Sequence, residues 1–191
     1  GMNSPHQPVV VLSRALDQAG DALAAVRAED LDKPTPCHGW TVRELADHLA
    51  AAPEHFLQMA RGEEVDWTAG TGVEPSALTA HFRAHADDLI HHWHGQSDEQ
   101  AAQADWQSAE LGVHTWDLLR ATGRTLPLDE EVADRPSVCV LIARQADRWL
   151  AHWSRAEGTL PIEAKKSSGR SGRSGGSAPH RWQRLDEWTK D

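Results

Sequence analysis

The chain has 191 residues, the size of one domain, and carries 29 acidic against 19 basic side chains, a formal net charge of −10. That sign argues against nucleic acid or an anionic membrane surface as partner, since both need a basic face, and a composition 39% hydrophobic and 25% charged is globular rather than disordered. No run of about 18 apolar residues is present, no basic-then-apolar leader opens the chain, and two cysteines, Cys37 and Cys139, point to reduced thiols in a cytoplasmic setting.

Val9-Val10-Val11 alone would suit a strand, but the spacing of Leu12, Leu16, Ala19, Leu23 and Val26 makes one apolar stripe of a helix. The first helix is expected from about Pro8 to Ala28. Lys33-Pro34-Thr35-Pro36 stops it, because each proline disfavours the helical region for its predecessor. Thr41-Val42-Arg43-Glu44 is a capping box that opens a second helix, with Trp40 placed to pack on Leu45 as a staple. Its stripe is Leu45, Leu49, Ala52, Phe56 and Met59; Pro53 predicts a kink, and Arg61-Gly62 an end.

Residues 62–74 read as a loop. A third helix starts near Pro75, carries Leu78, Phe82, His85, Leu89 and His92 on its stripe, and ends at Gly95. Ser97-Asp98-Glu99-Gln100 is a second capping box, predicting a fourth helix to Thr122 with Gly123 as its stop. A fifth helix begins near Asp129, carries Val132, Cys139, Ile142, Ala146, Trp149 and Trp153, and is kinked or split at Pro136. The expected organisation is a helical bundle over residues 8–160, a Gly/Ser-rich flexible segment over 161–180 and a short C-terminal helix over 181–191. Long helices with short connections pack as an antiparallel bundle, so the fold class is all-α.

Twelve histidines against no tyrosine direct attention to metal and proton chemistry. Glu110 and His114 are four apart on a helix, so a carboxylate oxygen and an imidazole nitrogen can converge on one ion. His48, at the edge of the second helix's buried stripe, is the best third ligand. Two nitrogens and one oxygen leave a coordination position open, the arrangement of a catalytic rather than a structural zinc site. The plainer account of Glu110 and His114 is a surface hydrogen-bonded pair, but His114 lies in an apolar stripe where an unpaired imidazole costs about 1–3 kcal/mol.

Two stretches carry a resemblance. Residues 35–49, Thr35-Pro36-Cys37-His38-Gly39-Trp40-Thr41 through His48-Leu49, resemble a signature of the DinB-like superfamily. Residues 110–123, Glu110-Leu111-Gly112-Val113-His114-Thr115-Trp116-Asp117 through Gly123, resemble that of the mycothiol-dependent maleylpyruvate isomerase N-terminal domain group. The resemblance spans about residues 8–160. It implies a DinB-like four-helix bundle with a metal held by His48, Glu110 and His114; the wider superfamily often has His where Glu110 stands. It further implies a divalent metal, Zn²⁺ foremost, and a small thiol such as mycothiol as co-substrate. A metal favours thiolate over thiol, so the implied activity is a thiol-dependent S-transferase or isomerase. Ni²⁺ can occupy such a site in a purified sample. The alternatives are a non-catalytic bundle stapled by metal or binding a ligand, and a metal-dependent hydrolase or amidase acting on thiol conjugates.

Other residues have competing accounts. Arg120 is a candidate grip for a substrate carboxylate, against an intrahelical pair with Asp117; Arg83 is a weaker one. Cys37 is a redox thiol or, more simply, a buried structural one. Asp47 supports a ligand histidine or lies on an exposed face. His91, His92 and His94 surround Trp93, but neighbouring positions spread around a helix and chelate poorly. His85 is the alternative ligand, and as a fourth ligand it would close the site into a staple. A homodimer through a bundle face is compatible with all of this.

Overall fold

The computed structural model describes residues 7–37, 39–101 and 103–124. The predicted fifth helix with Cys139, the Gly/Ser-rich segment and the C-terminal helix lie outside the described residues. Within them the chain forms α1 (Gln7–Ala24), α2 (Val42–Ala60), α3 (Leu78–His94), the single turn α4 (Asp98–Ala101) and α5 (Ala104–Thr122), with 3₁₀ turns at Ala28–Asp30 and Pro75–Ala77.

The predicted stripe of α1 is the buried one: Leu12, Leu16, Ala19 and Leu23 are all covered, and Val26 packs half-buried beyond the helix end. In α2, Leu45, Leu49 and Phe56 are buried, Met59 is exposed, and Pro53 sits inside a helix that runs on to Ala60. Each fully buried Leu or Phe contributes about 1.5–3 kcal/mol, so register is fixed by these stripes.

Two expectations change. The core stripe of α3 is Leu78, Phe82, Ala86, Leu89 and Trp93 rather than one through His85 and His92. Both stripes fit a helical period, but the second buries Trp93 and leaves the imidazoles at the edge where they keep polar partners. The predicted fourth helix is divided. Ser97 accepts from the Gln100 N–H at 3.3 Å, as its capping box requires, but the Gln103 N–H then bonds the Gln100 carbonyl at 2.9 Å. That three-residue closure tightens the chain into a turn before α5 starts.

α1 packs on α3 and α5, and α2 packs on the same two, so α1 and α2 sit diagonally across an all-α bundle with one shared core. Gly123 ends α5 in the left-handed conformation at φ 70°, and the Arg124 N–H reaches back to the Leu119 carbonyl at 3.2 Å. Arg124 then pairs with the fully buried Asp30 at 2.9 Å, fastening the end of α5 to the turn after α1. Across the other end, Trp93 Nε1 donates to Gln107 Oε1 at 3.1 Å. No helix among the described residues is long and apolar enough to cross a membrane.

Candidate metal centre

The start of α2 is set by a closed turn. Thr35 accepts from the Cys37 N–H at 3.1 Å and donates to the Trp40 carbonyl at 2.9 Å. Gly39 supplies the left-handed residue at φ 82° that the turn needs. Thr41 and Glu44 form the predicted capping box, and the carbonyls of Lys33 and Leu31 accept from the Val42 and Arg43 N–H groups at 2.9 and 3.0 Å. The unpaired donors of the first turn are thereby satisfied. The same turn brings Cys37 and Trp40 over the middle of the α2–α5 seam.

On that seam the imidazoles of His48, from α2, and His114, from α5, meet edge-on with ring centroids 4.9 Å apart. Trp40 lies against both, 4.6 Å from His48 and 6.4 Å from His114. Leu45 is covered, and the Trp40 ring is tilted by 55° against His48 and closer to parallel, at 29°, with His114. The two nitrogens of His114 face different partners. Nε2 is 3.5 Å from Glu110 Oε2, while Nδ1 is 3.3 Å from Asp117 Oδ2. Cys37 stands on the Asp117 side, with its sulfur, a His114 nitrogen and an Asp117 oxygen all within 4.8 Å of one another.

The charges divide unevenly. Burial and the neighbouring His114 push the His48 imidazole down to about 4, so it is neutral at pH 7 and offers a lone pair. Burial also opposes charging of His114, but the neighbouring Asp117, Cys37 and Glu110 outweigh it and hold that ring well above the ordinary histidine value. The hydrogen bond from His114 in turn keeps Glu110 below the usual carboxylate range, against a smaller opposing effect of burial.

His48, Glu110 and His114 form the polar end of a pocket of about 300 Å³. The other walls are Leu49, Ala52, His55, Phe56, Leu111, Trp67 and Trp106. Trp67 and Trp106 are about two-fifths exposed and meet edge-to-face at 6.2 Å, with Phe56 5.1 Å from Trp106. Trp67 arrives on the 62–74 loop, which Asp47 pins to α2 by accepting from the Thr71 N–H at 3.2 Å and its hydroxyl at 2.5 Å.

The donor set fits a divalent metal. Without one, a proton on His114 balances two carboxylates beside a neutral imidazole; a cation there meets the same partners. His114 turned toward Asp117 through one nitrogen leaves the other as ligand, the usual way a carboxylate orients a metal-binding imidazole. The three residues nominated from spacing line one pocket, although neither His48 nor Glu110 is among the sets whose three donor atoms all fall within 4.8 Å; His114 is grouped there with Cys37 and Asp117.

The remaining candidates fall elsewhere. Arg83 pairs with Asp21 on the α1–α3 side at 3.1 Å, and Arg120 lies with its guanidinium 5.9 Å from the Trp116 ring; neither lines the pocket. Asp47 holds the Trp67 loop. His85 faces Glu54 on α2 and does not close the pocket. Three pocket residues escape the sequence reading, His55, Trp67 and Trp106, and so does the contact of Asp117 with His114 behind the pocket. His55 follows His48 by seven, two helical turns along one face, and Asp117 follows His114 by three; both spacings are visible signals.

A family model described as the mycothiol maleylpyruvate isomerase N-terminal domain matches residues 12–126. The chain belongs to that family. It is part of the DinB-like superfamily, and the all-α bundle agrees with it. The family is mycothiol-related and metal-binding, and His48, Glu110 and His114 all fall inside the matched span. Two curated relatives from Mycobacterium tuberculosis are each 30% identical over 142 residues, covering 66% of this chain and 73% of the relative. They are Uncharacterized protein MT0763 of strain CDC 1551 / Oshkosh and Uncharacterized protein Rv0738 of strain ATCC 25618 / H37Rv. No solved structure matches the chain.

Proposed function

We propose that the pocket between α2 and α5 is a divalent-metal centre for thiol chemistry, and that the protein is a thiol-dependent S-transferase or isomerase with a mycothiol-like co-substrate. One observation carries this reading: two imidazoles from different helices meet beside a carboxylate at one end of a pocket whose other walls, His55 apart, are apolar and aromatic. His48, Glu110 and His114 would hold the metal. When bound, the metal supplies stabilisation of thiolate over thiol at neutral pH. Two nitrogens and one oxygen suit Zn²⁺, and Ni²⁺ is an acceptable occupant.

The chain's own side chains do the rest. Asp117 fixes the His114 ring from behind. Trp40 covers the two imidazoles from one side and limits their contact with water. Phe56, Trp67 and Trp106 give an apolar, aromatic mouth that takes the non-polar part of an electrophile and lowers the local dielectric. The pocket lining includes no arginine, so recognition by Arg120 or Arg83 has no support in this geometry. A metal staple would need the site closed by a further protein ligand, and the pocket at its mouth favours a ligand-binding centre instead.

The test is metal analysis of untagged wild-type and His114→Ala protein, coupled to a screen of thiol consumption against small electrophiles. Wild type is expected to retain about one metal equivalent at this centre, and the variant to lose it together with any thiol-dependent turnover. Turnover that needs no thiol would move the assignment to a hydrolase. Metal binding without turnover would leave a ligand-binding bundle, and unchanged metal in His114→Ala would overturn the centre itself.

A further inference from the structure

On the seam between α2 and α3, three side chains that the pocket does not use converge. His81 and His85 are one helical turn apart on α3, with ring centroids 4.4 Å apart and planes tilted by 40°. Glu54 reaches from α2, its Oε2 3.3 Å from His81 Nε2 and 4.0 Å from His85 Nε2. One donor atom from each lies within 4.8 Å of the other two.

The tautomer of His85 follows from its other contact. Its Nδ1 is 2.9 Å from the His81 carbonyl oxygen, which can only accept, so Nδ1 carries the proton. In the neutral ring Nε2 is then a lone pair directed toward Glu54. Fixing a histidine through its second N–H to a backbone carbonyl is how metal-binding imidazoles are oriented. A plain ion pair explains His81 against Glu54, but it gives no reason for a second imidazole to offer its lone pair to the same carboxylate. Two acceptors facing each other need a cation between them, a proton on Nε2 or a metal ion, and two imidazoles and a carboxylate converging from two helices offer a metal three donors at once. The side chains are 18%, 28% and 37% exposed for His81, His85 and Glu54, so an ion can enter from solvent.

We propose that Glu54, His81 and His85 form a second divalent transition-metal site, which clamps α2 to α3 and shares no residue with the pocket. Two imidazole nitrogens and one carboxylate oxygen select Zn²⁺, Co²⁺ or Ni²⁺ over Mg²⁺ and Ca²⁺, which prefer oxygen donors. The ligands come from two helices, so occupancy raises the unfolding temperature by binding only the folded chain.

The experiment uses untagged full-length protein stripped with a chelator and titrated with Zn²⁺, bound metal being measured after desalting. In a His48→Ala/His114→Ala background, which removes the pocket site, one equivalent should still bind and raise the melting temperature. Adding His81→Asn and His85→Asn should abolish both effects. Glu54→Gln keeps the side-chain shape and should weaken Zn²⁺ binding in the same background. Zn²⁺ binding and thermal shift that survive all three substitutions, in protein with unchanged circular dichroism, would overturn the site. So would the absence of any Zn²⁺ binding in a folded His48→Ala/His114→Ala background. Either result leaves the pocket centre untouched, because that centre is read from His114→Ala alone.

Discussion

His114 shows how one side chain can be committed through both ring nitrogens. Glu110 takes one and Asp117 the other, and both come from its own helix at offsets of four and three. The geometry is therefore local, since a helix places those positions on one face. Asp117 is fully buried, which makes its carboxylate an orienting group rather than a solvent-exposed counter-ion. Asp117→Asn should weaken metal binding at the pocket by about 10- to 100-fold, in the range found when the group behind a ligand histidine is altered. Competition with a chromophoric chelator reads the affinity, and thermal unfolding of the metal-free variant checks the fold. An unchanged affinity would remove Asp117 from the site. Glu110 and His114 were legible because their spacing is a property of one helix. The role of Asp117 was obscured by Arg120, an equally well-spaced partner for it in the sequence.

Among the elements, the 62–74 loop has the least intrinsic structure and the most specific attachment. Asp66 makes a local turn with Thr68, while Asp47 accepts from Thr71 and holds the loop to α2. Gly70 passes so close to the Asp47 carboxylate that a Cβ there would collide with Oδ2. Asp47→Ala should cost about 1.5–3 kcal/mol, the range for hydrogen bonds to a charged group. Gly70→Ala should cost a similar amount by pushing that carboxylate away, and the double variant should cost no more than Asp47→Ala alone. Urea unfolding of the four proteins measures the coupling; simple additivity would refute the contact. Punctuation for this loop is readable from its residues but its partner is not, because Asp47 and Thr71 are 24 residues apart. The capping box of α2 was readable for the opposite reason: its two members are three residues apart.

At the scale of the molecule, Asp30 joins the turn after α1 to the end of α5. It accepts from Lys33 at 2.8 Å, the Arg27 N–H at 2.9 Å and Arg124 at 2.9 Å. Burial alone would raise its pKa, but these three donors bring it below the ordinary carboxylate value. A carboxyl group lowered in the folded state stabilises fully above its unfolded pKa of about 3.9, and that contribution is lost as pH falls through the lowered folded value. Asp30→Asn should therefore cost about 2 kcal/mol at pH 7, less than a wholly buried pair because Lys33 and Arg124 keep some contact with water. The difference from wild type should shrink below about pH 4. Denaturant titrations across this pH range test this, and a gap that does not narrow as pH falls below about 4 would refute it. The sequence by itself determined the helices, their caps and the pairing of Glu110 with His114, because each depends on side chains within about one or two turns. Tertiary structure decided which edge of α3 is buried, that α2 lies diagonal to α1, and that His48 meets His114 under Trp40. Those outcomes depend on which helical faces exclude water together, and that free energy belongs to no single segment.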